Sequence, residues 1–197
     1  MNIVGLLRHG PTAWNRDKRI QGVRDVPLDT ESFDPGPWLT LLHAHGPWDQ
    51  VVTSPLARAT ETARLLFPDL PTRTDAGLVE QDWGQWTGQT VRELRVKFPG
   101  AVENQEARGW DFTPPGGECR RSVLARALRA VEAACSCKAG KRILLVTHFG
   151  VIMALLNHLH GTSFLPGTST PIAKRALHLL ECGEAGLRTL QTNLALP

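Results

Sequence analysis

The stretch Ile3-Val4-Gly5-Leu6-Leu7-Arg8-His9-Gly10 decides the reading of this chain. An apolar run passes directly into a cation, an imidazole and a glycine, the pattern of a buried parallel strand whose carboxyl end opens into a loop. Asp49 to Thr53 and Arg142 to Thr147 repeat the pattern, the first running into Ser54-Pro55 and the second into His148. Helical patterns follow both. After the first, Ser54 is the expected cap with Pro55 at the opening helical position, and Leu56, Ala59, Ala63 and Leu66 recur on one face. After the second, Val151 to Leu159 is apolar throughout behind Gly150, with Gly161 as the stop. Leu124, Ala127, Leu128, Val131 and Ala134 mark a further amphipathic helix between Pro114-Pro115-Gly116-Gly117 and Gly140. Strands alternating with helices mean an α/β sheet, and Ile172 to Leu180 and Gly186 to Thr192 read as later strands, the last an antiparallel edge.

The 197 residues suit one domain, 1–197, with a substantial core. A hydrophobic fraction of 42% with 21% charged residues describes an ordinary globular chain. A formal charge of +3 is too small and scattered for a nucleic-acid surface, and no apolar run approaches the ~20 residues a bilayer demands. The polar Arg8-His9 pair comes too early for a secretory leader, so a cytoplasmic location is expected. In that compartment Cys119, Cys135, Cys137 and Cys182 are expected as free thiols. Cys135-x-Cys137, His43-x-His45 and His158-x-His160 are weak metal spacings, and no metal site is expected. Residues 10–48 and 81–121 are loop-rich and carry all of the six tryptophans, which suits pocket walls as well as packing under loops. The basic stretch Arg16, Lys18, Arg19 and Arg24 suits a solvated face or a rim that attracts anions.

Ligands of open α/β sheets bind outside the carboxyl ends of the strands, so Arg8-His9, Ser54 to Arg58 and Thr147-His148 would meet at one cleft. Two guanidinium groups and two imidazoles there fit a phosphate. Guanidinium matches phosphate oxygens bidentately, and an imidazole can donate to those oxygens or attack phosphorus.

Leu7-Arg8-His9-Gly10 with Thr12 and Asn15, Ser54-Pro55-Leu56-Ala57-Arg58-Ala59 with Glu61-Thr62-Ala63, Glu80 to Gly88, Pro115-Gly116-Gly117-Glu118 and Thr147-His148-Phe149-Gly150 follow one another in order. In this the sequence resembles the histidine phosphatase superfamily, also called phosphoglycerate-mutase-like, over about residues 3 to 155. The resemblance implies that His9 is the nucleophile that becomes phosphohistidine, that Arg8, Arg58 and His148 grip the phosphoryl oxygens with help from Asn15, and that Glu80 gives a proton to the leaving oxygen. His9 has to be neutral to attack, which Arg8 and Arg58 would favour. Glu118 and Asp82 are the rival acids. Pro11, Thr87 and Cys119 depart from the family pattern, where many members have Glu, Glu and Ser. These departures bear on the substrate rather than on the phosphate group of residues.

The expected fold is α/β, a single-domain three-layer α/β/α sandwich with a mostly parallel sheet and an antiparallel edge strand. The expected activity is that of a metal-independent phosphoric monoester hydrolase, acting on a small phosphorylated metabolite through phosphohistidine on His9 without a cofactor. The alternative is a phosphoglycerate mutase or related phosphotransferase using the same intermediate. No nucleic-acid or membrane partner is expected, and the sequence leaves the oligomeric state open, a homodimer included.

Overall fold

The computed structural model describes residues 1–136 and 139–196. Its centre is one six-stranded sheet in the order β3-β2-β4-β1-β5-β6, with β1 Asn2–Arg8, β2 Gln50–Thr53, β3 Thr72–Thr74, β4 Arg142–Thr147, β5 Ala176–Gly183 and β6 Gly186–Ala195. β1, β2, β3 and β4 run parallel, whereas β5 pairs antiparallel with β1 and β6 antiparallel with β5. The antiparallel edge read from the sequence is thus a hairpin closing at Gly183 and Gly186.

Alternation along the strands sends side chains to two cores. Val4, Leu6, Ile143 and Leu145 meet α6 (Arg120–Cys135) and α7 (Phe149–Leu159) on one face. Leu7, Val51, Leu144 and Val146 meet α2 (Gly36–Ala44) and α3 (Ala57–Leu66) on the other, which makes three layers. Gly5 belongs in this central strand for a packing reason: a Cβ there would lie 2.5 Å from the Trp48 ring.

The excursions are more ordered than their composition suggests. α1 (Ala13–Arg16) opens on a capping box between Thr12 and Asn15, and α4 (Val91–Lys97) on one between Thr90 and Glu93. With α5 (Ala101–Glu106), the second excursion closes over a small core of its own, Trp86, Leu94, Val102 and Phe112. The tryptophans divide accordingly. Trp38, Trp48 and Trp86 are buried, Trp110 donates to the Thr162 carbonyl at 2.8 Å, and Trp14 and Trp83 line a cavity.

Two local expectations change. α3 starts at Ala57, two residues beyond Pro55, and Ser54 does not cap it. Asp25 instead accepts from Ala57 N at 2.8 Å, because the Ser54 hydroxyl is engaged by His148. α7 starts at Phe149, which puts Gly150 inside its first turn. Cys119 and Cys182 are free thiols, while Cys137 lies outside the described residues. No described helix is long and apolar enough to cross a membrane.

Candidate active site

Strand register aligns the reactive residues. Arg8 pairs with Thr147 across β1 and β4, and Thr53 with Val146 across β2 and β4, so the residues just beyond the strands, His9, His148 and Ser54, come out side by side. Two ladder-like bonds extend the alignment past the strand ends, His9 N to Thr147 O at 2.9 Å and Ser54 N to Val146 O at 3.0 Å. The His9 and His148 rings stand with centroids 5.2 Å apart. Arg8, His9, Asn15, Arg58 and Glu80 line one cavity of about 990 Å³, and His148 lies fully buried next to His9.

Each imidazole has a tautomer set by its neighbour. His9 Nδ1 lies 2.6 Å from the Gly10 carbonyl. A carbonyl only accepts, so Nδ1 carries the proton and Nε2 the lone pair. Burial first, then the charges of Arg8 and Arg58, hold His9 well below its ordinary pKa, against the opposing pull of the Gly10 carbonyl. The free imidazole is therefore neutral and nucleophilic at neutral pH. His148 Nε2 lies 2.8 Å from Ser54 Oγ, which also accepts from Leu56 N at 3.3 Å. The hydroxyl hydrogen has no other acceptor among the described residues, so it goes to Nε2 and leaves the ring proton on Nδ1, which itself has no partner among them. Burial, then His9 and the cations Arg58, Arg8 and Arg126, keep His148 well below its ordinary pKa as well.

Arg58 is held from behind. Its Nη1 and Nη2 donate to the carbonyls of Arg24 and Gly22 at 2.8 and 2.9 Å, and burial lowers its pKa to about 10 despite the nearby carboxylates of Glu80 and Asp25. Burial lowers Arg8 too, opposed by Glu80. The Nε groups of both are buried without a partner among the described residues, a cost of about 1–3 kcal/mol each that acceptor oxygens in the cavity can offset. Thr62 ties the two halves together, accepting from Gly10 N at 2.9 Å and donating to Arg58 O at 2.6 Å. Asn15 uses its carboxamide oxygen on Thr12 N and Thr12 Oγ1, both at 3.1 Å, which leaves its amide nitrogen for the cavity.

Glu80 enters from the loop before the second excursion. Its Oε1 accepts from Gln81 N at 2.8 Å and its Oε2 from Gly150 N at 3.2 Å, in the first turn of α7. A Cβ on Gly150 would sit 2.3 Å from Oε1, so only glycine admits this approach. Arg126 fixes the loop beneath: Nη1 donates to Val79 O and, at 2.9 Å, to Gly77 O, and Nη2 to Glu80 O at 3.2 Å. The same guanidinium forks onto Glu118, with both bonds 2.8 Å. Of the carboxylates weighed as acids, Glu80 faces the cavity, Glu118 is taken by Arg126, and Asp82 accepts from Gly84 N at 2.8 Å.

Sequence reasoning thus found the residues that converge and missed those that orient them. Ser54 read as a helix cap, and nothing in the sequence singled out Arg126. The basic stretch divides: Lys18 and Arg19 line the cavity, Arg16 pairs with Asp29 at 3.2 Å, and Arg24 contributes its carbonyl to Arg58. Among the described residues no three His, Cys, Asp or Glu side chains gather as metal ligands.

The chain is similar to known proteins. The profile of the histidine phosphatase superfamily (branch 1) matches residues 4–195. A 2,3-bisphosphoglycerate-dependent phosphoglycerate mutase 2 of Gloeobacter violaceus is 31% identical over 166 residues, covering 81% of this chain and 76% of its own. A Bacillus subtilis protein named as the uncharacterized phosphatase PhoE is 28% identical over 167 residues, covering 82% of this chain and 79% of its own. Among solved structures, a mycobacterial glucosyl-3-phosphoglycerate phosphatase superposes with a TM-score of 0.81 at 25% identity, over 99% of this chain and 100% of its own. With the cavity, the paired imidazoles and a profile that spans nearly every residue in agreement, the chain belongs to the histidine phosphatase superfamily.

Proposed function

We propose that the protein is a metal-independent phosphomonoesterase that hydrolyses a small phosphorylated metabolite through a phosphohistidine on His9. One observation carries this reading: a neutral imidazole with its proton on Nδ1 stands in a cavity between two guanidinium groups. His9 Nε2 attacks phosphorus as the ester P–O bond breaks, and Glu80 gives its proton to the departing oxygen. Water then attacks the phosphohistidine while giving a proton to the Glu80 carboxylate, which breaks the N–P bond, releases inorganic phosphate and restores both His9 and Glu80. Arg8, Arg58 and the Nδ1 proton of His148 stabilise charge on the equatorial oxygens, with Asn15 assisting, and no metal is needed for that role.

The second reading is a mutase, which returns the phosphoryl group from His9 to a bound acceptor instead of to water. It is favoured by the mutase name of the Gloeobacter relative. The two differ in how long water is kept from the phosphohistidine. Phosphate release from 3-phosphoglycerate, measured against formation of 2-phosphoglycerate in the presence of bisphosphoglycerate, separates them, before and after exhaustive chelation. Phosphate release that outruns isomerisation and survives chelation is expected. Isomerisation in excess would move the assignment to the mutase, and activity lost to the chelator but restored by a divalent ion would overturn the metal-free mechanism.

A further inference from the structure

The cavity holds more positive charge than one phosphate needs. A monoester dianion balances Arg8 and Arg58, yet Lys18, Arg19, Arg92 and Lys174 stand in the same wall, with Asp17 as the acid beside Glu80. Those four are exposed, so water solvates them at little cost. Arg120, at the start of α6, differs. It is half-buried in the cavity wall, its guanidinium carbon 4.1 Å from the centre of the Phe112 ring and 4.3 Å from that of Phe164. Among the described residues its guanidinium makes one hydrogen bond, from Nη1 to the Gly109 carbonyl at 3.0 Å. Its neighbour Arg121 pairs with Asp111 at 2.6 Å, whereas no described carboxylate lies within 4.0 Å of the Arg120 guanidinium.

The surroundings hold this cation in place without neutralising it. Phe164 takes a left-handed backbone conformation, φ 62°, unusual for a bulky residue, and packs edge-on against Trp110 with centroids 4.9 Å apart. The rings clamp the guanidinium by stacking but carry no net charge. Burial lowers the Arg120 pKa to about 10, and Glu106 and the Cys119 thiol offset only part of that cost. A half-buried, oriented cation with no described carboxylate within 4.0 Å, open to the cavity that holds His9, is complementary to an anion bound there.

We propose that Arg120 receives a second anionic group of the substrate, a carboxylate or a second phosphate, beside Phe149, Met153 and Phe164. The inference rests on the phosphomonoester reading and narrows the substrate to phosphate esters with two charged ends. Calorimetric binding to the His9→Ala protein, where no turnover intervenes, tests it with three three-carbon esters: glycerol 3-phosphate, 3-phosphoglycerate and a diol carrying two phosphates. At least one doubly charged ester should bind about 10- to 100-fold tighter than glycerol 3-phosphate, the range expected for a charge-assisted contact. Whichever gains identifies the group. Adding Arg120→Met, which keeps bulk against the two rings, should remove most of that preference, and Arg120→Lys should restore part of it. Equal binding of all three esters, or an equal loss for all three on Arg120→Met, overturns the proposal. Hydrolysis of p-nitrophenyl phosphate by the native protein is measured alongside, so that absence of turnover sinks the hydrolase reading separately from the subsite.

Discussion

The carboxyl ends of β1, β2 and β4 and the excursions 10–48 and 81–121 build one cavity by different means. At the strand ends, His9, Ser54 and His148 are placed by backbone pairing, a register that no single side chain can shift. In the excursions, Trp14, Trp83 and Arg120 are placed by short helices, capping boxes and a small core around Trp86 and Phe112. The difference separates chemistry from selection. Groups that must hold a tautomer or attack a phosphorus stand on the rigid ladder, and groups that contact the rest of a substrate stand where replacement costs the scaffold little.

The largest effect should come from the ladder side. His9→Ala should lower turnover of p-nitrophenyl phosphate by on the order of 10⁴-fold or more, since the covalent route is lost. The fold should survive, because the ladder bond at this position is made by the His9 backbone N to Thr147 O and not by the imidazole. Native protein briefly exposed to substrate should carry acid-labile, base-stable phosphate, and the variant none. Near-native turnover by the variant would show that the nucleophile lies elsewhere.

Glu80 stands at the boundary between the two regions, and its variants sharpen the comparison. Glu80→Gln should slow alkyl phosphates by about 10²- to 10⁴-fold and aryl phosphates far less, because a good leaving group needs little protonation. Arg126→Met should reproduce that leaving-group dependence at about 10- to 100-fold, since it releases the Gly77 to Glu80 backbone and lets the carboxyl drift. In a Glu80→Gln background the Arg126 substitution should add little of this selectivity. Equal losses on alkyl and aryl substrates would mean that Arg126 supports the fold alone.

How much of this was legible follows the same division. Buried parallel strands announce themselves as apolar runs that end abruptly in polar residues, so Arg8, His9, Thr147 and His148 could be set at one sheet edge from spacing alone. Ser54 could not be assigned: a serine before a proline caps helices often enough that the competing partner, His148, is visible only in three dimensions. Arg126 was hidden for a related reason, because an arginine on an amphipathic helix reads as solvated, while its acceptors are three carbonyls 46 to 49 residues earlier in the chain and the carboxylate of Glu118 8 residues earlier. The excursions left traces that were readable but faint. Thr90-Val91-Arg92-Glu93 is a capping-box signature, yet the helix it opens runs seven residues, too short for a periodicity to stand out.

The smallest effect concerns protonation and compares the site with the scaffold directly. His9 and His148 at the strand ends and His178 within β5 are all buried and all held below the ordinary imidazole value. For His178 burial lowers the pKa to about 4, opposed by a backbone contact at Ala173, and its Nδ1 accepts from Asn193 N at 3.2 Å. Below about pH 6.5 an unfolded histidine binds a proton that these folded ones do not, so the unfolded state holds more protons and stability decreases as the pH is lowered. The contribution is complete above pH 6.5 and, for His178, is lost progressively down to about pH 4, at about 1.4 kcal/mol per pH unit while the window lasts. Thermal melts between pH 7 and 5 should therefore show a falling Tm, and both His178→Gln and His9→Ala should flatten the slope by one proton's worth. Only the second should also remove turnover, since His178 touches no residue of the cavity wall through its hydrogen bonds. An unchanged slope in His178→Gln would mean that this imidazole is already protonated in the fold, and that burial in the sheet does not act on it as it acts on the pair at the strand ends.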